Sequence, residues 1–128
     1  MRPDFSAYVL LLMKDDKELF RSNDSGLRPL MNCVDECKKY SGCILFDKVI
    51  GLAAARIIIH TRIISKVFAG VASEPAIELL EKNRIGINAG IIVKNILRQD
   101  RTDICPREKK AMTMSNKEFF NEMKKIYG

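Results

Sequence analysis

The stretch from Gly42 to Thr61, GCILFDKVIGLAAARIIIHT, decides the fold. Cys43, Ile44, Leu45 and Phe46 form an apolar run with no polar alternation, which suits a strand covered on both faces in a mainly parallel sheet. At Asp47 and Lys48 the pattern changes to an alanine-rich segment with helical spacing. The reading is a buried strand feeding a helix from about Lys48 to His60, with Asp47 as its N-cap. A carboxylate there accepts from free first-turn N–H groups and suits the positive end of the helix dipole. Ligands of open α/β sheets bind at the carboxyl ends of strands, so Asp47 and Lys48 are the first candidates for chemistry.

Upstream, Ala7 to Met13 and Glu18 to Ser22 read as two strands joined by the charged turn Lys14-Asp15-Asp16-Lys17, an antiparallel hairpin. Leu27 to Lys39 has helical spacing, with Pro29 in the first turn and Arg28 at the mouth. Downstream, Ile63 to Ala72 is a β-branched strand. Ser73-Glu74-Pro75-Ala76 opens the next helix, with Ser73 or Glu74 as cap. Ile87 to Val93 reads as a short fifth strand followed by a turn of helix. Gln99 to Asp103 is a polar loop. Cys105-Pro106-Arg107-Glu108 starts a helix with Pro at N1 and Glu at N3, and Ser115-Asn116-Lys117-Glu118 is a capping box opening another, with Phe119, Phe120 and Met123 inward. The order predicts one α/β domain over 1–128, a three-layer α/β/α sandwich on a mixed sheet of about five strands.

The 128 residues, 47% hydrophobic, are enough for a core without disulfide staples. No apolar run reaches the roughly 18–20 residues of a membrane span, and the N-terminus lacks a signal-peptide cleavage site, so the expectation is a cytoplasmic protein with no membrane contact. The formal charge of +6 is spread over cations mixed with acids. No aromatic platform stands among the C-terminal lysines, which argues against nucleic acid and leaves a phosphate-bearing small ligand compatible. Cys33, Cys37 and Cys43 are closely spaced; a soft-metal or cluster site is the alternative to buried thiols, and no cofactor is expected.

GLRPL at Gly26 to Leu30, FDKVIGLAAA at Phe46 to Ala55, ASEPAIELLEK at Ala72 to Lys82 and ICPREKKAM at Ile104 to Met112 resemble a small prokaryotic family of unknown function, over about Tyr8 to Tyr127. The resemblance implies a cytidine-deaminase-like fold. Zinc deaminases need a His or Cys ligand and a Glu at one helix start and two thiolates in P-C-x-x-C at the next. In that comparison Asp47-Lys48-Val49 fills the first position, and Ala76 and Leu79 replace the thiolates. A deaminase zinc site is therefore not buildable, and zinc-dependent deamination is rejected.

What remains is a rim of capped helix starts. Asp47, Lys48 and Cys105 are the candidate catalytic residues: Lys48 as base or amine nucleophile if desolvated, Cys105 as a thiol at a helix N-terminus. Arg28, Ser73, Glu74 and Glu108 are the candidate ligand-binding residues, with a small anionic or nucleotide-like ligand resting on free N–H groups. The competing class is a catalytically inactive module that forms a homodimer or docks through an apolar patch, with the Phe119/Phe120 helix as the candidate.

Overall fold

The computed structural model describes residues 3–128. Strand β1 (Leu10–Lys14) and strand β2 (Lys17–Ser22) form the expected hairpin, and Asp15 and Asp16 turn it with φ of 50° and 64°. Two consecutive left-handed residues match the twist of a tight hairpin, and Asp is among the few side chains that tolerate this conformation. Helix α1 (Arg28–Glu36), strand β3 (Cys43–Ile50), helix α2 (Leu52–Thr61), strand β4 (Ile64–Ser73), helix α3 (Glu74–Lys82) and strand β5 (Gly86–Val93) follow. Helices α4 (Pro106–Met112) and α5 (Asn116–Tyr127) complete the order.

The sheet runs β2-β1-β3-β4-β5, with β1 antiparallel to both neighbours and β3, β4 and β5 mutually parallel. This is the expected mixed five-stranded α/β sheet. Its helical cover differs from the expected sandwich. Buried side chains of all five helices, among them Leu30, Ile57, Leu80, Ala111 and Phe119, join one core with Leu10, Leu12, Leu45, Val67 and Ala69 of the sheet. The other face carries a smaller cluster of Tyr8, Leu11 and Phe46, with Phe5, Met13, Ile44 and Phe68 packed on it and no helical residue. The strands explain this. From β2 past β1 to β3, then to β4 and β5, each crossover steps the same way across the sheet, and a common right-handedness puts α1, α2 and α3 on one side.

Helix α2 is the hub, because α1, α3, α4 and α5 all touch it. Ala53, Ala54 and Ala55 are buried and small enough to admit such close neighbours. Phe119 and Met123 of α5 are fully buried, and Phe120 leans on His60 with ring centroids 4.7 Å apart. The face expected to be an exposed patch is therefore core. Helix α5 starts as its sequence predicts: Ser115 Oγ accepts from the Glu118 N–H at 3.1 Å, and Glu118 Oε1 accepts from the Ser115 N–H at 2.9 Å. No helix among the described residues is long and apolar enough to cross a membrane.

Replacing Phe119 by Ala should leave a cavity at the α2–α5 contact and lower stability by about 3–5 kcal/mol. A denaturant midpoint within experimental error of the parent would show that α5 is not part of the core.

Candidate functional site

Strand β3 runs four residues beyond the apolar run and ends at Ile50, so Asp47, Lys48 and Val49 lie in the sheet. Asp47 pairs with Leu10 on one side and Ala69 on the other. It is therefore not the N-cap of α2, and the deaminase comparison, which needs a helix start at these three residues, does not hold there. The cap position of α2 is Gly51, which has no side chain to offer.

The cap comes from elsewhere. Glu108, in α4, accepts from the Leu52 N–H through Oε1 and from the Ala53 N–H through Oε2, each at 2.7 Å. Its carboxylate is 5% exposed and bridges 56 and 55 residues of chain. Two short bonds onto the positive end of a helix dipole make a strong charge-assisted cap. Burial pushes the Glu108 carboxyl up from its usual range, and these two backbone bonds oppose the shift. Gly51 is required by this arrangement, because a Cβ there would collide with Glu108 Oε1 and with Ile96.

Asp47 has no comparable support. It is 8% exposed, and its carboxylate accepts a long hydrogen bond, 3.5 Å from the Val49 N–H. Desolvation pushes its pKa from 3.8 up to about 8. Asp47 is then a mostly neutral acid near pH 7; burial is what chiefly pushes the nearby Cys33 thiol up, and Asp47 adds to that shift only when it is ionised.

The other sequence candidates are dispersed along the rim. Ser73 is buried and caps α3, its Oγ accepting from the Ala76 N–H at 3.3 Å, while Glu74 is exposed. Lys48 is exposed on β3. Cys105 is half-buried, makes no side-chain cap bond, and donates its backbone N–H to Ile96 O at 3.0 Å. Arg28, at the start of α1, lies 5.1 Å above the Tyr127 ring. Cys33, Cys37 and Cys43 are buried free thiols. Among the described residues no group of three or more His, Cys, Asp or Glu side chains could hold a metal ion.

A concave surface lies elsewhere, by the amino-terminal end of β4. An open cleft of about 660 Å³ is lined by Ile59, His60, Arg62, Ile64, Ser65, Asn83, Arg84, Ile85, Ser115, Asn116 and Lys117. Arg62 and Arg84 follow the ends of α2 and α3, and Lys117 is in the first turn of α5. No acidic side chain lines the cleft, and no ion pair among the described residues involves Arg62, Arg84 or Lys117. Arg62 and Arg84 both adopt left-handed backbone, φ 60° and 63°, the conformation that glycine usually supplies after a helix. Sequence reading passed over these residues as scattered surface charge. A signal was present in two successive helix ends closed by Arg where Gly is the common choice.

A family model described as TM1506, domain of unknown function (DUF1893), matches residues 5–126. No curated protein matches the chain. The crystal structure of a DUF1893 family protein (TM1506) from Thermotoga maritima is 24% identical and superposes with a TM-score of 0.85 over 94% of this chain and 82% of that one. At that identity the likeness establishes the fold alone.

Two outcomes follow from the carboxylates. Glu108→Ala strands the Leu52 and Ala53 N–H groups in a buried place and should cost about 2–4 kcal/mol, read as a lower denaturant midpoint; an unchanged midpoint would mean the cap does not form. Asp47 is protonated in the fold up to about pH 8 but only up to about 3.8 when unfolded, so the folded chain binds the extra proton between those values. Stability should therefore fall as pH rises through that window, by up to about 1.4 kcal/mol per unit. Asp47→Asn should be the more stable protein at pH 7–8, and the difference from the parent should vanish below about pH 4. A parallel pH course for both proteins would contradict the buried acid.

Proposed function

The chain belongs to the DUF1893 family, a domain of unknown function, and on that premise we propose that it binds a small anionic, nucleotide-like ligand in the cleft between Arg62, Arg84 and Lys117. The carrying observation is that three cations from three separate elements converge on one cavity that holds no acid. Its volume of about 660 Å³ falls among those typical of small-molecule sites. Arg guanidinium groups offer the fork of donors that a phosphate accepts.

Helix dipoles separate this reading from plain surface charge. Arg62 and Arg84 lie at helix C-termini, where a cation is favoured in any case. Lys117 lies at the N-terminal end of α5, where the dipole opposes a cation. An anion held between them offsets both that opposition and the repulsion among the three charges. The rim is the weaker place for an anion, because the Glu108 carboxylate already takes the first amides of α2. What the rim retains is Asp47, a buried acid able to donate a proton near neutral pH, which keeps non-zinc chemistry at Asp47 as the second reading.

Inorganic phosphate and a nucleoside monophosphate, titrated in low salt, should raise the melting temperature in step with ligand concentration, equivalent to about 2.7 kcal/mol at a hundredfold excess over Kd. Arg62→Gly and Arg84→Gly should hold or slightly raise the stability of the free protein by relieving the left-handed backbone, while weakening the ligand about tenfold or more. Absence of any shift with either ligand, or equal shifts in the glycine variants, would overturn the assignment.

A further inference from the structure

We propose that β5 is a self-association edge: two copies of this chain pair their β5 strands antiparallel about a two-fold axis at Ile91, joining two five-stranded sheets into one of ten strands. Strand β5 ends the sheet, so the outer side of GINAGIIV presents backbone donors and acceptors with no strand beyond it among the described residues. Natural sheets commonly blunt such an edge with charge, proline or a bulge. The opposite edge is defended in this way, by Lys17, Glu18 and Arg21 on β2 beside the turn at Asp15 and Asp16. Strand β5 has no charged residue and no proline from Gly86 to Val93, although the chain carries a net charge of +6. It also holds two of the most exposed large apolar residues of the protein, Ile91 and Ile92, each 60% exposed.

Register points to a second copy as the occupant. Val49, Val71 and Ile91 pair directly across β3, β4 and β5, so their side chains form one row on one face, and that row stops at the open edge. With Ile91 opposite Ile91, the row continues as the partner's Ile91, Val71 and Val49, six branched side chains abreast. The same register sets Ile92 against Gly90 and Val93 against Ala89, and Lys94 meets Asn88. A register centred at Ala89 would instead bring Lys94 opposite Arg84, like against like. The apolar row and the charges therefore favour the same alignment. Two-fold pairing uses both open edges at once, so the assembly closes at the dimer and does not grow. A ladder of this length is a small interface, and the dimer should be concentration-dependent.

Light scattering on a sizing column should show the parent passing from monomer to dimer between about 10 μM and about 1 mM, the range expected for a small interface. Ile91→Lys should weaken the dimer at least tenfold with an unchanged far-ultraviolet spectrum. In a Cys105→Ser background, Ile91→Cys should cross-link under copper-phenanthroline oxidation, and Asn88→Cys, which faces Lys94 in this register, should not. A parent that stays monomeric throughout, an Ile91→Lys variant that dimerises like the parent, or equal cross-linking at 88 and 91 would each overturn the proposal. Open-ended association beyond the dimer would overturn it as well.

Discussion

The Glu108 carboxylate on the first two amides of α2 is the contact on which the arrangement of this molecule turns. Helix α2 touches every other helix, so whatever closes its N-terminus also locates α4 against the hub. The carboxylate does this with both oxygens at once, in a place where water is nearly excluded and charge-assisted bonds are strong. Gly51 exists to let the carboxylate in. The same contact occupies a place where an anion could otherwise rest. A helix N-terminus at the carboxyl edge of a parallel sheet is ordinarily the place for an anion, and here the chain supplies its own.

The two buried carboxylates show how differently one fold treats similar groups. Glu108 receives two short backbone bonds, which offset much of the cost of leaving water. Asp47 receives one long bond and is left to hold its proton instead. An apolar or amide side chain of similar size would suit the place better for stability alone. A buried acid held this way costs the fold stability that a better-matched side chain would keep.

Local grammar was readable, and long-range reach was not. The hairpin at Asp15-Asp16, Pro29 in α1, the Ser73 cap and the Ser115–Glu118 capping box all follow from residues within four positions of one another, and each is in place. The strand end at Asp47 was misjudged because an Asp before an alanine-rich segment satisfies the rules for a helix cap. The parallel pairing with Ala69 carried β3 on to Ile50 regardless. Glu108 was legible as the third residue of its own helix, and nothing in sequence could show that it serves another helix 56 residues away. The cleft was hidden for the same reason, since Arg62, Arg84 and Lys117 become neighbours only once α2, α3 and α5 are packed.

The long reach of Glu108 also bears on how the protein is made. A chain leaving the ribosome completes the β3-α2-β4 unit well before α4 exists. In that interval the amides at the head of α2 face water, and the places later filled by Phe119 and Met123 stand open. Synthesis of α4 and α5 acts as a late latch, and until it is complete the apolar surface of the hub stays open to solvent.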